Sequence, residues 1–342
     1  MKPKALKQNH VVAISYRDDA KGKGAFFDHF TLRRLTGCIT EMTHSKNTDT
    51  TDLASHINYR NGYQKYGLPI NPDLPTLATD DAENAAFLFI PGFTKDADRL
   101  QTATHQFRIT YEKELIRKAI IRGQPVLAVC AGSWTLWQAY GGKTITVTDH
   151  NYGGAMPRLS KPSAEVCNNK MIHRVNVSPH SFLSGAMGFK ETITERPMVN
   201  SVHWNAPDNS PPNAPTTLEI TATSVKDDGI APHSRKNDGT HQMQPDDSVE
   251  AFETKFGVPM LGIQWHPEAF NPGENPRQES IFKFIKEAGH TYLNRKALNK
   301  EFKEAWSNKA PNTTFFGNSK PDFDKVIPGG EKLINTTSSF KV

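Results

Sequence analysis

Short apolar runs alternate with amphipathic segments in the first 140 residues of the chain. The apolar runs predict strands at 11–15, 38–42 and 87–90, and helical spacing predicts helices over 25–35 and 108–122. Residues 45–80 form a polar connection, with helical character near 59–66. Strand and helix repeated in this order predict an α/β fold with a doubly wound, mostly parallel sheet.

The pattern changes between residues 144 and 265 to short runs of alternating polar and apolar positions. Extra short strands near the active edge of the sheet are predicted at 144–148, 174–177, 218–225 and 249–253. Residues 280–299 then predict a closing helix with one apolar stripe.

Two polar segments lie outside the strand and helix signal. Residues 230–248 are predicted to be a long mobile loop, because they combine Pro, Gly, His and charge. Residues 309–342 have little apolar content and no periodicity, which predicts a disordered or loosely docked tail. The expected organisation is therefore one domain over residues 1–308, followed by that tail.

Candidate chemistry begins in PVLAVCAGSW, at residues 125–134. A buried strand ends at Cys130, and the small residues Ala131, Gly132 and Ser133 lead into a helical pattern. Strand, sharp turn and helix are the form of a nucleophile elbow. The start of the helix contributes free N–H groups that favour a thiolate.

The second candidate segment is LGIQWHPEAF, at residues 261–270. His266 and Glu268 are two residues apart at the end of a predicted strand, so their side chains are expected on one face. Alone, Cys130 is more often a buried small apolar residue, and a histidine before proline is more often a turn residue. Together the two segments predict a Cys-His-Glu triad.

Five segments in order resemble the class I glutamine amidotransferase-like superfamily, and within it the peptidase C26 or γ-glutamyl-γ-aminobutyrate hydrolase branch. They are FLFIPGF (87–93), YEKELIRKAIIRGQPVLAVCAGSW (111–134), HRVNVSPHSFL (173–183), VNSVHWNAP (199–207) and VEAFETKFGVPMLGIQWHPE (249–268). The resemblance implies a flavodoxin-like sheet and amide hydrolysis by a cysteine nucleophile.

The resemblance also assigns roles to individual residues. It implies Cys130 as the nucleophile, His266 as the base and Glu268 as its partner, with the backbone N–H groups of Gly92 and Ala131 forming the oxyanion hole. The implied substrate-binding residues are Trp134, Ser201 and His203. Two positions around the elbow depart from the family pattern, because Ala128 replaces a glycine and Trp134 replaces a glutamine that helps to hold a glutamine-like substrate. The substrate segment departs as well, with Trp204 and Asn205 following His203.

Composition narrows the function further. The 342 residues include 41 basic and 36 acidic side chains, and this net charge of +5 is too small to predict a nucleic-acid or membrane partner. Three cysteines form no disulfide framework, no signal peptide or membrane span is evident, and the expected location is cytoplasmic. The thirteen histidines show no ligand spacing, so neither a metal nor a cofactor is predicted.

The leading hypothesis is a cysteine hydrolase that cleaves a γ-glutamyl-type amide through a thioester. The expected binding partner is a small γ-glutamyl or glutamine-like substrate. The sequence leaves open whether the chain forms a homo-oligomer. Two alternatives remain. The chain could be a glutaminase subunit that delivers ammonia to a synthetase partner, or a non-catalytic regulatory protein that keeps the fold.

Overall fold

The fold was obtained as a computed structural model. It describes residues 10–15, 23–43, 76–77, 81–92, 103–147, 173–189, 194–201, 203–225, 248–270, 273 and 275–309. The predicted helical stretch near 59–66 lies outside these residues. So do the predicted mobile loop, apart from Ser248, and the predicted tail, apart from Lys309.

Helices and strands occur close to the predicted positions. The strands are β1 Val11–Ser15, β2 Ile39–Thr43, β3 Thr76–Leu77, β4 Phe87–Ile90, β5 Val126–Val129, β6 Thr144–Thr146, β7 His173–Val177, β8 Met198–Val199, β9 Asn205–Pro207, β10 Leu218–Ser224, β11 Val249–Thr254 and β12 Met260–Ile263. The α-helices are α1 Lys23–Thr36, α2 Ala103–Arg122, α3 Ala131–Ala139, α4 Phe182–Ala186 and α5 Pro276–Lys309, and 3-10 turns cover Asp81–Asn84 and Pro267–Ala269.

Ten of these strands, among the residues described, form one sheet in the order β3-β2-β1-β4-β5-β12-β11-β10-β7-β8. The six strands from β3 to β12 pair in parallel, and the remaining pairings are antiparallel. The α/β fold with a large, mostly parallel sheet is therefore confirmed. Strands β4, β5 and β12 are neighbours, so their carboxyl ends meet at one edge.

The predicted extra strands fall into two groups. Strands β7, β10 and β11 extend the main sheet on its antiparallel side, as continuous neighbours of the parallel part. Strand β6 instead pairs with β9 in a separate two-stranded sheet, with Ile145 opposite Ala206. The predicted extra strands are therefore divided between the main sheet and the two-stranded sheet.

Apolar side chains cover both faces of the main sheet, as burial on two sides requires of parallel strands. On β4, Phe87 and Phe89 belong to one buried cluster, while Leu88 and Ile90 belong to the other. The first cluster includes Ile281, Phe282 and Ile285 of α5, and the second includes Leu115 and Ile116 of α2 together with Leu136 and Trp137 of α3. The carboxyl edge is thus held between two packed layers.

The chain divides into two compact units, with the boundary between Leu293 and Asn294. The first holds both sheets, and the described part of the second is the carboxyl-terminal portion of α5. The domain boundary expected at residue 308 stays a prediction. Within the described part of the chain, every helix is too short or too polar to cross a membrane.

Candidate active site

Cys130 occupies a sharp turn between β5 and α3. Its backbone has φ 53° and ψ −122°, a left-handed conformation that is strained for a residue with a side chain. The Cys130 N–H donates to the Ile263 carbonyl at 2.7 Å, which fixes the turn against β12. The predicted need for small neighbours is confirmed, because a Cβ on Gly132 would lie 2.1 Å from the Ile90 carbonyl oxygen.

Gly92 lies directly beside the cysteine, two residues after β4. A Cβ built on Gly92 would be 3.1 Å from Cys130 Cβ, 3.4 Å from Cys130 Sγ and 3.5 Å from the Ala131 nitrogen. The space next to Gly92 is therefore the space in front of the thiol and the first N–H of α3. Both predicted oxyanion-hole residues consequently border the same small volume.

Arg108 holds the Pro91–Gly92 backbone from behind. Its guanidinium donates to the Pro91 carbonyl at 2.9 Å and to the Gly92 carbonyl at 3.3 Å. Its Nε also donates to Glu112 at 2.7 Å, and the Glu112 side chain is fully buried. The sequence analysis missed this pair, whose i, i+4 spacing on α2 was its only signal.

His266 lies three residues beyond the end of β12, the strand that pairs with β5, and β5 ends directly before Cys130. Its Nδ1 lies 2.7 Å from Glu268 Oε1, as the predicted triad requires. The sequence pattern explained this proximity by two positions on one face of a strand. That explanation is wrong, because β12 ends at Ile263 and Pro267–Ala269 form a 3-10 turn. The turn brings Glu268 back to the imidazole, and Pro267 suits its first position because proline lacks an N–H.

Electrostatics favour a charged His266. Burial lowers its pKa, but the neighbouring Glu268 and Cys130 outweigh this effect and raise the pKa to about 10. Hydrogen bonding of the ring to both side chains raises the pKa of His266 in the same direction. The arrangement can therefore hold an imidazolium between a carboxylate and a thiolate.

Asn200 fixes the backbone of the histidine. Its Nδ2 donates to the His266 carbonyl at 2.9 Å, and its Oδ1 accepts from the His266 N–H at 2.7 Å. Asn200 is completely buried, so both bonds are shielded from water. Its role as an anchor was not predicted, because 66 residues separate it from His266.

Trp134 is inside the protein, with a relative exposure of 3%. Its indole N–H donates to Gln264 Oε1 at 2.8 Å, and Ser133 Oγ donates to the same oxygen at 2.8 Å. The Trp204 ring stands edge-on to the indole, with centroids 5.2 Å apart. The indole N–H is thus hydrogen-bonded within the protein. Contact between Trp134 and the substrate stays a prediction.

The other two predicted substrate residues are also buried. Ser201 is fully buried, and His203 is 1% exposed with its Nε2 3.4 Å from Glu250 Oε1. His173 lies on the other side of the same carboxylate, at 3.7 Å. Their spacing in the sequence gave no indication of this cluster, because His173 begins β7 and His203 lies in the connection between β8 and β9.

The fold and the site together define a class of protein. A strained cysteine at an elbow on a doubly wound sheet, with a His-Glu pair just beyond the end of the neighbouring strand, is the arrangement expected of a class I glutamine amidotransferase-like protein. The Peptidase C26 family profile matches residues 91–268, which include all three triad residues. The chain belongs to the Peptidase C26 family, and so to a group of glutamine amidotransferase-like hydrolases.

The individual relatives match only a short part of the chain or share low sequence identity with it. A Rickettsia prowazekii protein named as glutamine amidotransferase-like is 35% identical over 65 residues, which cover 17% of this chain and 42% of that protein. A Thermoplasma acidophilum structure named for one of the GMP synthase subunits has 13% identity, coverage of 85% and 99%, and a TM-score of 0.49. A Thermotoga maritima glutamine amidotransferase structure has 14% identity, coverage of 84% and 98%, and a TM-score of 0.40.

Proposed function

We propose that the protein hydrolyses a γ-glutamyl-type amide bond through a Cys130-His266-Glu268 triad and a thioester intermediate. The observation that carries this proposal is one imidazole that interacts with both partners. Glu268 Oε1 lies 2.7 Å from Nδ1 of His266, and the neighbouring Cys130 and Glu268 both raise the pKa of that ring. A triad needs a nucleophile, a base and an orienting acid in this connectivity.

The reaction follows from these positions. The Cys130 thiolate attacks the amide carbonyl, and the resulting oxyanion is expected to accept hydrogen bonds from the Gly92 and Ala131 N–H groups. The His266 imidazolium then gives its proton to the leaving amine, and the C–N bond breaks to leave a thioester. Water, deprotonated by His266, attacks the thioester, releases the carboxylate and restores the thiolate.

Substrate preference is expected to differ from that of a glutaminase. The residue four positions after the nucleophile, a glutamine in the family pattern, is Trp134, and its N–H is bonded to Gln264. A buried indole in this place offers the pocket an apolar edge instead of an amide. We therefore expect a γ-glutamyl compound with a substituted amine to react faster than free glutamine.

The test is amine and ammonia release from a panel of γ-glutamyl amides that includes free glutamine. The wild type should turn over at least one substituted amide, and Cys130→Ala should abolish that turnover. Cys38→Ala is the matched control, because Cys38 is also a buried free cysteine and lies outside the site. Full activity in Cys130→Ala would refute the assignment of Cys130 as the nucleophile.

The same panel separates the alternatives. Free glutamine as the preferred substrate would favour an ammonia-delivering glutaminase subunit. Intact folding without turnover of any member, together with ordinary thiol reactivity of Cys130, would favour a binding protein. Neither result is expected from the contacts of His266.

A further inference from the structure

Two histidines and one glutamate meet inside the antiparallel half of the sheet. His173 begins β7, Glu250 is on β11, and His203 lies between β8 and β9. His173 and His203 are each 1% exposed and Glu250 is 0% exposed. One ligand atom from each residue lies within 4.8 Å of the other two.

The tautomers of both imidazoles follow from their second nitrogens. His173 Nδ1 lies 3.0 Å from the Arg174 carbonyl oxygen, and His203 Nδ1 lies 3.0 Å from the Asn205 carbonyl oxygen. A carbonyl only accepts, so each Nδ1 carries a hydrogen and each Nε2 is the ring nitrogen that faces Glu250. Metal-binding histidines are oriented by the same type of outer contact.

The shorter of the two distances to Glu250 matches the spacing of two ligands around a metal ion. Glu250 Oε1 is 3.4 Å from His203 Nε2 and 3.7 Å from His173 Nε2. A charge-assisted N–H···O bond would be about 2.7–2.9 Å long. Ligands at about 2.0–2.2 Å from a tetrahedral zinc ion are instead about 3.3–3.6 Å apart, because tetrahedral geometry sets that edge.

Charge points in the same direction. A buried carboxylate is costly to desolvate, and a divalent cation shared with two imidazoles would offset that cost. Two imidazole nitrogens and one carboxylate oxygen are the ligand types that suit zinc and similar divalent transition metals. We propose that His173, His203 and Glu250 bind one divalent transition metal ion of the zinc type.

The proposed ion would stabilise the walls of the candidate active site. The Glu250 carbonyl accepts from the Gln264 N–H at 2.8 Å, and the Asn205 carbonyl that holds His203 also accepts from Gln264 Nε2 at 3.1 Å. Asn200, three residues before His203, anchors His266. Binding would therefore tie the 200–205 segment to the sheet beside the triad, and the residues are positioning residues in this role.

The test is metal content, which does not depend on catalysis. The full chain is stripped with a chelator, incubated with zinc chloride alone, passed through gel filtration and measured by plasma mass spectrometry. We expect about one zinc per chain in the wild type, and less than about a tenth of that in His203→Ala and Glu250→Gln. His180→Asn is the matched control, because His180 is an exposed histidine after β7 with φ 62°, which asparagine tolerates.

Visible spectra of bound cobalt report the coordination geometry and the ligand type in the wild type, even if the cluster variants fail to fold. Co²⁺ should give the visible bands of a tetrahedral ion without a thiolate charge-transfer band, and Cys130→Ala should keep those bands. Zinc should also raise the melting temperature of the stripped protein by about 5 °C. Three results would each overturn the proposal. The wild type could retain no zinc and show no cobalt bands, the folded cluster variants could retain a full equivalent of zinc, or Cys130→Ala could lose the metal.

Discussion

Replacing Gly92 with alanine would test the oxyanion hole with one methyl group. The new Cβ would lie 3.4 Å from Cys130 Sγ and 3.5 Å from the Ala131 nitrogen, with its tightest contact, 3.1 Å, to Cys130 Cβ. These contacts are close but need shifts of only a few tenths of an ångström. The methyl group would therefore fit the folded protein while filling the volume that the oxyanion needs.

The expected cost falls on the rate and hardly on stability. Loss of one oxyanion donor typically lowers kcat by about 10²–10³, which corresponds to about 2.7–4 kcal/mol. We expect Gly92→Ala to lose at least about 10² in kcat on the best γ-glutamyl amide, with the free energy of unfolding changed by less than about 1 kcal/mol. Steady-state kinetics and urea denaturation measure the two quantities on the same samples.

Gly132→Ala is the contrasting variant. Its Cβ would lie 2.1 Å from the Ile90 carbonyl oxygen and 2.9 Å from the Pro91 carbonyl oxygen, and a backbone contact this short forces α3 away from β4. This variant should lose several kcal/mol of stability, as overpacking does. Undiminished kcat in a folded Gly92→Ala protein would refute the placement of the oxyanion beside Gly92.

Three further variants test the anchor, the base and a buried acid. Asn200→Ala should lower kcat about 10-fold to 100-fold and stability by about 2–3 kcal/mol, because two His266 backbone groups lose their partners. Kinetics equal to those of the exposed control Asn209→Ala would contradict this. Because the pKa of His266 is raised to about 10, iodoacetamide labelling of Cys130, followed by peptide mass spectrometry, should change little between pH 6.5 and 9. In His266→Ala it should fall by about tenfold or more towards pH 6.5, and parallel profiles in both proteins would count against an imidazolium. Burial raises the pKa of Glu253 to about 7, although the Phe182 and Leu183 N–H groups oppose the shift, so its stabilising contribution is full below pH 4.5 and is lost as pH rises through 7. Glu253→Gln should remove up to about 3 kcal/mol of that pH dependence in urea denaturation at pH 5 and 7.5, and an unchanged slope would disprove the assignment.

Local patterns predicted most of the parallel part of the fold. Strand β1 was predicted at Val11–Ser15 and β4 at Phe87–Ile90, and both have those bounds. Such runs are apolar because the sheet is covered on both faces, and that burial is visible in the sequence. The elbow at Cys130 was predictable for a similar reason, since the small residues after it are required locally by the turn.

Contacts between distant segments could not be predicted from spacing. Asn200 reaches His266 across 66 residues, and His173, His203 and Glu250 come from three separate segments. Their proximity depends on the order of the antiparallel strands, which no periodicity encodes. The 3-10 turn at Pro267 was missed for a different reason, because the apolar run before it continues the strand pattern through Trp265 although β12 ends at Ile263.

The Arg108 contacts explain how the proposed oxyanion donor, the Gly92 N–H, would be aimed. In a trans peptide the C=O and N–H groups point in opposite directions. Because Arg108 binds the Pro91 carbonyl oxygen at 2.9 Å, the Gly92 N–H of the same peptide faces away from the guanidinium. Cys130 Sγ lies on the open side of Gly92, where only glycine leaves room for the substrate oxygen. Glu112 fixes the guanidinium in turn, and Ser15 donates to Glu112 at 2.6 Å, so a buried polar chain from β1 to β4 positions this donor before substrate arrives.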